Sequence, residues 1–136
     1  DLARVGGKYS DMWQAEHLNN PRDVVPESIM PAYPFLTRTE LRVDDLPEHL
    51  AALKELGVPY TDAMVQNAVS DAYGQAAPDS PQAEGVKERY GDATDVRAFD
   101  GDAGRVTEMD ALVAYLQILG RLTDAAHKQE VAGGIK

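Results

Sequence analysis

Residues 10–35 read SDMWQAEHLNNPRDVVPESIMPAYPF, a short helical segment that runs into a loop containing four prolines. Ser10 is a favourable N-cap and Pro21 ends the segment, so the sequence predicts a helix over residues 11–19. The prolines exclude a helix interior over residues 20–35 and predict a stiff, extended loop there. The stretch therefore indicates a helical protein that carries one rigid, apolar loop.

Apolar residues at helical spacing predict further helices on the C-terminal side of this loop. Leucines recur from residue 46 to residue 56, after a possible cap at Asp44 or Asp45, and Gly57 ends that helix. The next helix is predicted to begin at Thr61 or Asp62 and to weaken at Gly74, and another runs from Pro81 to about Tyr90. Residues 91–106 are predicted to be a loop rich in glycine and aspartate.

The strongest helix is predicted last, over residues 107–122. Thr107 and Asp110 form a capping box, and the apolar residues that follow line one face. No stretch shows the alternation of a strand, so the sequence predicts an all-α fold.

Composition limits the function further. The 136 residues fit one domain, and a net charge of −10 opposes the binding of nucleic acid. Residues 37–110 hold sixteen acidic and seven basic side chains. That surface is either simply solvated or a docking face for a basic partner. No apolar run is long enough to span a membrane. The absence of cysteine excludes disulfides, cysteine–zinc sites and thioether-linked haem within this sequence.

Met30 is the residue whose position points to chemistry. A soft thioether on a rigid loop suits a copper or haem-iron ligand, and a copper site using Met30 and His17 is one alternative. The histidines form no metal-binding pattern, and the DGDAG sequence at residues 100–104 lacks the spacing of a calcium loop. No nucleophile–base pair can be assembled, so no catalytic site is predicted in this chain.

Several stretches resemble a known family. Residues 13–30 (WQAEHLNNPRDVVPESIM) resemble the methionine-ligand half of a class I cytochrome c, and residues 107–116 (TEMDALVAYL) resemble its C-terminal helix. More narrowly, residues 1–13, 20–36 and 106–120 are similar to subunit II of cbb3-type cytochrome c oxidases, the mono-haem FixO/CcoO subunit. The likeness spans most of the chain.

The resemblance implies a haem c with histidine and methionine ligands, in which Met30 is the distal axial ligand to iron. The family's Cys-x-x-Cys-His attachment motif is missing here. The chain is therefore expected to be a C-terminal fragment that binds little or no haem by itself. Five further residues are implied to lie near the haem edge or propionates: Tyr9, Trp13, Arg22, Pro26 and Tyr33.

The resemblance also implies a setting and a division of the chain. The parent subunit would relay electrons to the oxygen-reducing subunit at the periplasmic face of the bacterial inner membrane. It would contact the catalytic and other cytochrome subunits and be held by an N-terminal anchor absent from this soluble fragment. The alternative is a small acidic, helical protein-binding module without haem.

In this interpretation residues 1–122 form a partial cytochrome c-like domain. Residues 1–36 provide the haem-facing helix and methionine loop, residues 37–106 an acidic helical insertion, and residues 107–122 the C-terminal helix. Residues 123–136 are expected to be a flexible tail. Without haem, the helices over residues 45–73 and 107–122 are predicted to form the core, with residues 1–36 mobile or irregularly packed.

Overall fold

The structure is a computed structural model that describes residues 2–121. Within that range the chain is all-α, as predicted, and its only β-type pairing is an isolated bridge between Glu40 and Thr107. Two short 3-10 helices, Leu2–Arg4 and Pro34–Thr37, accompany the α-helices. The α-helices are α1 (Asp11–Asn19), α2 (Pro21–Val24), α3 (Leu46–Glu55), α4 (Asp62–Gln66), α5 (Ala68–Ala76), α6 (Pro81–Tyr90) and α7 (Glu108–Ile118).

The N-terminal helix has the predicted bounds, but the extended loop predicted after it is partly wrong. The Ser10 hydroxyl accepts a hydrogen bond from the Trp13 amide at 3.0 Å and so caps α1. Pro21 then begins α2, and the Val25 amide donates to the Pro21 carbonyl at 2.8 Å. A proline at the first helical position needs no N–H donor and has a favourable φ, so it starts a helical turn here as well as ending α1.

The helix predicted from residue 61 is interrupted and also longer than expected. It divides into α4 and α5 at Asn67, whose side-chain amide donates to the Ala63 carbonyl at 2.8 Å. Gly74 lies inside α5 and does not weaken it. A Cβ at Gly74 would lie 2.7 Å from the Gln82 carbonyl oxygen, so this glycine permits the close approach of α5 and α6. Asp71 and Arg89 join the same two helices, with Arg89 Nε donating to Asp71 Oδ2 at 2.8 Å.

The capping box of the last helix is present. The Asp110 amide donates to Thr107 Oγ1 at 3.2 Å, and the Thr107 amide donates to Asp110 Oδ2 at 3.0 Å. The helix ends at Ile118, earlier than predicted, because Gly120 follows with a φ of +84° that an α-helix cannot contain. Leu122 and the predicted tail lie outside the described residues. Among residues 2–121, no helix has the length and hydropathy needed to cross a membrane.

The prediction of the core is half wrong. The buried cluster consists of Leu18 from α1, Phe99 from the loop before α7, and Met109 and Val113 from α7. Residues 1–36 therefore contribute to the core, and no residue of α3 is buried. The leucine stripe of α3 is only partly covered, because the helix contacts α4 and α5 while none of its residues packs against the core cluster.

Two truncations test this core, one inside α7 and one directly after α3. Met109 is fully buried, so Met109→Ala should lower the free energy of unfolding by about 2–5 kcal/mol. Leu56, the residue that follows α3, is 82% exposed, and Leu56→Ala should change that free energy by less than about 0.5 kcal/mol. Urea denaturation measures both values. Equal costs for the two variants would contradict the burial of Met109 and the exposure of Leu56.

Candidate methionine-ligand site

The backbone of Met30 is held at both of its polar groups. Its amide donates to the Ser28 hydroxyl at 3.2 Å, and its carbonyl accepts a hydrogen bond from Arg22 Nη1 at 3.1 Å. Further along the loop, the Tyr33 amide donates to the Leu18 carbonyl at 2.8 Å and ties the loop to the end of α1. These hydrogen bonds fix the backbone of the loop, which restricts the positions that the Met30 side chain can take.

The side chain of Met30 is partly buried and packs against the core cluster of Leu18, Phe99, Met109 and Val113. A thioether at the boundary between core and surface is shielded from water on one side and can contact a bound group on the other. Thioethers are ligands for soft or borderline metals, so Met30 is the candidate ligand of this loop.

The loop around Met30 also exposes apolar side chains. Ile29 is 99% exposed, while Val25 and Phe35 are 42% and 47% exposed. Tyr33 is partly buried and meets Phe35 edge to face, with ring centroids 6.2 Å apart. Apolar groups concentrated on one exposed loop are typical of a surface that contacts another group.

Three rings form an aromatic stack on one side of α1: Tyr9, Trp13 and His17. The ring centroids of Tyr9 and Trp13 are 3.9 Å apart, and those of Trp13 and His17 are 4.7 Å apart. The planes are inclined by 16° and 14°, so each pair is close to parallel. The stack gives α1 a flat aromatic face next to the buried side that carries Leu18.

The structure thus relates the predicted site residues in two groups. Arg22 and Met30 are joined by the hydrogen bond described above, and Tyr9 and Trp13 are joined by stacking. Pro26 is exposed in the turn that precedes Ser28. Among the described residues, no three or more histidine, aspartate or glutamate side chains are arranged to hold a metal ion. His17, the other ligand of the copper alternative, has its ring stacked on Trp13.

Sequence reasoning missed Gln14. Its side chain is only 3% exposed, and its Nε2 has no hydrogen-bond partner. The Asn20 Oδ1 atom is likewise buried and unpaired, although its Nδ2 donates to Asp23 at 2.9 Å. A buried donor without an acceptor costs about 1–3 kcal/mol, so such atoms are rare. The available signal was a polar residue one helical turn before the buried Leu18.

The start of α1 is fixed to the rest of the molecule by the side chains of Asp11, Arg97 and Gln117, here called the Asp11 network. Gln117 Nε2 donates to Asp11 Oδ1 at 2.9 Å and to the Tyr9 carbonyl at 2.8 Å, and its Oε1 accepts from the Gly7 amide. Arg97 pairs with the same carboxylate through two nitrogens. Burial alone would raise the pKa of Asp11, but the hydrogen bonds from Arg97 and Gln117 and the Arg97 charge lower it.

A second carboxylate network lies at the start of α7. Thr107 Oγ1 donates to Asp100 Oδ2 at 2.7 Å, and the Asp100 amide donates to Asp110 Oδ1 at 3.1 Å. Asp110 is 2% exposed, and this burial raises its pKa. The amides of Thr107 and Asp100 oppose the shift, whereas the nearby Asp100 carboxylate adds to it. The negative charge of Asp110 is therefore disfavoured in the folded chain.

An all-helical domain that presents a methionine thioether beside an aromatic helix is consistent with a cytochrome c-like electron-transfer domain. Comparison with protein families supports that class: the model of the family described as cytochrome c oxidase, mono-heme subunit/FixO matches residues 1–123. The chain therefore belongs to the FixO family of mono-haem cytochrome c oxidase subunits. No curated protein matched the chain in a sequence comparison.

Membership gives the chain a setting. It is a mono-haem subunit of a cytochrome c oxidase, it functions in electron transfer, and its partners are other subunits of the oxidase. This finding favours the haem interpretation over the haem-free binding module.

Two buried glutamines provide a matched test of the unpaired donor. In this chain without haem, Gln14→Leu should raise the free energy of unfolding by about 1–2 kcal/mol, because it removes a buried amide that has no acceptor. Gln117→Leu should lower it by about 2–3 kcal/mol, because the Gly7 amide, the Tyr9 carbonyl and the Asp11 carboxylate would each lose a hydrogen bond. Urea denaturation of both variants is the measurement. A destabilising Gln14→Leu would mean that Gln14 already has a partner.

The two aspartates should respond to pH in opposite directions. The raised pKa of Asp110 means that the folded chain binds its proton more tightly than the unfolded chain does. Its contribution to stability is therefore present below the ordinary value of 3.8 and is lost as pH rises through the raised pKa. For Asp11 the pKa is lowered, so its contribution is present above 3.8 and is lost as pH falls.

As the pH rises from about 3 to about 7, the free energy of unfolding of Asp110→Asn should increase relative to that of the unmodified chain. Over the same rise in pH, the free energy of unfolding of Asp11→Asn should decrease relative to it. Denaturation at several pH values gives both differences directly. Parallel pH profiles for the two variants would contradict this assignment.

Proposed function

We propose that this chain forms the methionine side of a haem c site in an electron-transfer subunit. In the parent subunit Met30 and a histidine would hold a covalently bound haem c, which would supply electron transfer towards the oxygen-reducing subunit of a cbb3-type oxidase. The corresponding location is the periplasmic face of the bacterial inner membrane. One observation carries this proposal. The backbone amide and carbonyl of Met30 are both hydrogen-bonded, and its side chain packs against the core.

The chemistry of the available donors fits the group in part. A thioether is a soft ligand suited to haem iron, and the buried Nε2 of Gln14, on the helix that carries Trp13, is a donor without an acceptor. The sequence contains no cysteine. We therefore assign the thioether attachment and the histidine ligand to a part of the subunit outside these 136 residues.

The roles of the other residues follow from their positions. When bound, haem c accepts and releases one electron, and histidine–methionine ligation raises its reduction potential. Arg22 fixes the Met30 carbonyl with one N–H, and its remaining donors are exposed and able to pair with a propionate. Tyr9 and Trp13 would form an aromatic wall near the haem edge, and Pro26 and Tyr33 would shape the two ends of the loop.

The packed side of Met30 has a separate role, which is to limit water at the ligand. Phe99, Met109 and Val113 are each 3% exposed or less, so the core behind the thioether is dry. A dry, ordered surrounding reduces the rearrangement that accompanies a change of charge, because few mobile dipoles must reorient.

Replacing the proposed ligand in the haem-loaded, full-length subunit tests this assignment. Met30→Leu should abolish the charge-transfer absorption of the bond between the haem iron and the methionine sulfur. It should also lower the midpoint potential by on the order of 100 mV, since a ligand that raises the potential is lost. Met12→Leu is the matched control, because Met12 is 70% exposed, and it should change neither property. An unchanged spectrum and potential in Met30→Leu would exclude Met30 as the ligand.

A further inference from the structure

A cleft of about 500 Å³ lies on the side of α1 away from the aromatic stack. Its walls are α1 on one side and the segment 98–101 on the other, and Thr37 lies at its edge. The floor is apolar: Phe99 is 3% exposed, and Ala15 lies beside it. Met12 is 70% exposed in the same lining and adds an apolar group at the surface.

The cleft shares Phe99 and Ala15 with the core behind Met30, but its surface residues differ from those of the methionine-ligand site. Its α1 residues recur at positions 11, 12, 15, 16 and 19, which is one stripe of a helix. Trp13 and His17 occupy the opposite flank, with Gln14 and Leu18 buried between the two stripes. None of the residues proposed to contact haem lines the cleft.

The charge around the cleft is mainly negative, and Arg97, which lies over the Phe99 ring with its guanidinium carbon 4.7 Å from the ring centroid, is the cation beside it. Three carboxylates line it, from Asp11, Glu16 and Asp100, and the lining contains no lysine, arginine or histidine. Asp11 is neutralised by Arg97, and Asp100 accepts hydrogen bonds from Thr107 and the Asp102 amide. Glu16 is exposed and forms no salt bridge with any residue from 2 to 121.

An apolar floor below an anionic rim selects a particular occupant. Lysine and arginine side chains combine an apolar stem with a charged end, so the stem can lie against Met12 and Ala15 while the charge meets Glu16. The volume is within the range of binding pockets and exceeds that of one side chain. It therefore accommodates a basic residue together with an apolar neighbour. A second copy of this chain, with its net charge of −10, is a poor candidate.

We propose that this cleft is a docking site for a basic segment of another subunit of the oxidase, which inserts a lysine or arginine beside Glu16. The proposal rests on membership of an oxidase-subunit family and on the cleft, and it does not depend on Met30 being the haem ligand. It assigns an interface to α1, whose opposite flank carries the aromatic stack.

Site-directed photocross-linking in the assembled oxidase tests the proposal. A benzophenone attached to Cys in a Met12→Cys variant should cross-link to a lysine- or arginine-containing segment of another subunit, identified by mass spectrometry. The same label in Leu56→Cys, on the exposed end of α3, provides the background yield. Adding Glu16→Lys should lower the Met12→Cys yield roughly tenfold or more, because like charges then face each other. The matched exchange Glu55→Lys on α3 should leave the yield unchanged.

Three outcomes would overturn the proposal. They are a yield at residue 12 no higher than at residue 56, a cross-link only to a second copy of this subunit, and an equal loss with Glu16→Lys and Glu55→Lys. Circular dichroism of both charge variants shows whether the helices are intact, and Glu16→Gln provides a milder exchange if Glu16→Lys fails to fold. In that variant the loss of the carboxylate should still lower the yield. An unchanged yield would count against the docking site.

Discussion

The position of α1 depends on the carboxylate of Asp11. Arg97 reaches it from a segment 86 residues away and Gln117 reaches it from 106 residues away, so one side chain joins three distant parts of the chain. Asp11 and Arg97 are 22% and 38% exposed, and solvent weakens an ion pair of this kind. The contribution of the Asp11 network therefore lies more in fixing direction than in free energy. It sets the start of α1 against α7, and both flanks of α1 take their orientation from that contact.

Local interactions account for what the sequence could predict. Ser10 caps α1 and Thr107 pairs with Asp110 because each contact spans only three residues, and such contacts can be inferred from the order of residues alone. The extended loop predicted after Pro21 was partly wrong for a local reason as well, because a proline can both end one helix and begin the next. The helix bounds were therefore more accessible than the packing of the helices.

Long-range packing accounts for what was missed. Phe99 lies in a loop without periodicity, so nothing in its neighbourhood indicates that it completes the core with Leu18. The leucines of α3 show the opposite case, because their spacing is that of a buried stripe while none of them packs against the core cluster. Of the candidate site, Met30 and Arg22 are eight residues apart and were both singled out, whereas the unpaired amide of Gln14 depends on neighbours that the sequence cannot show.

The aromatic stack has a practical consequence. Trp13 is the only tryptophan in the chain, and it lies between the rings of Tyr9 and His17. Its fluorescence therefore comes from one known position on α1, in contact with two neighbouring rings. Any separation of those rings, or the arrival of a light-absorbing group near them, would change the colour or intensity of that emission. Trp13 is thus a built-in fluorescent probe on α1, the helix next to both proposed surfaces.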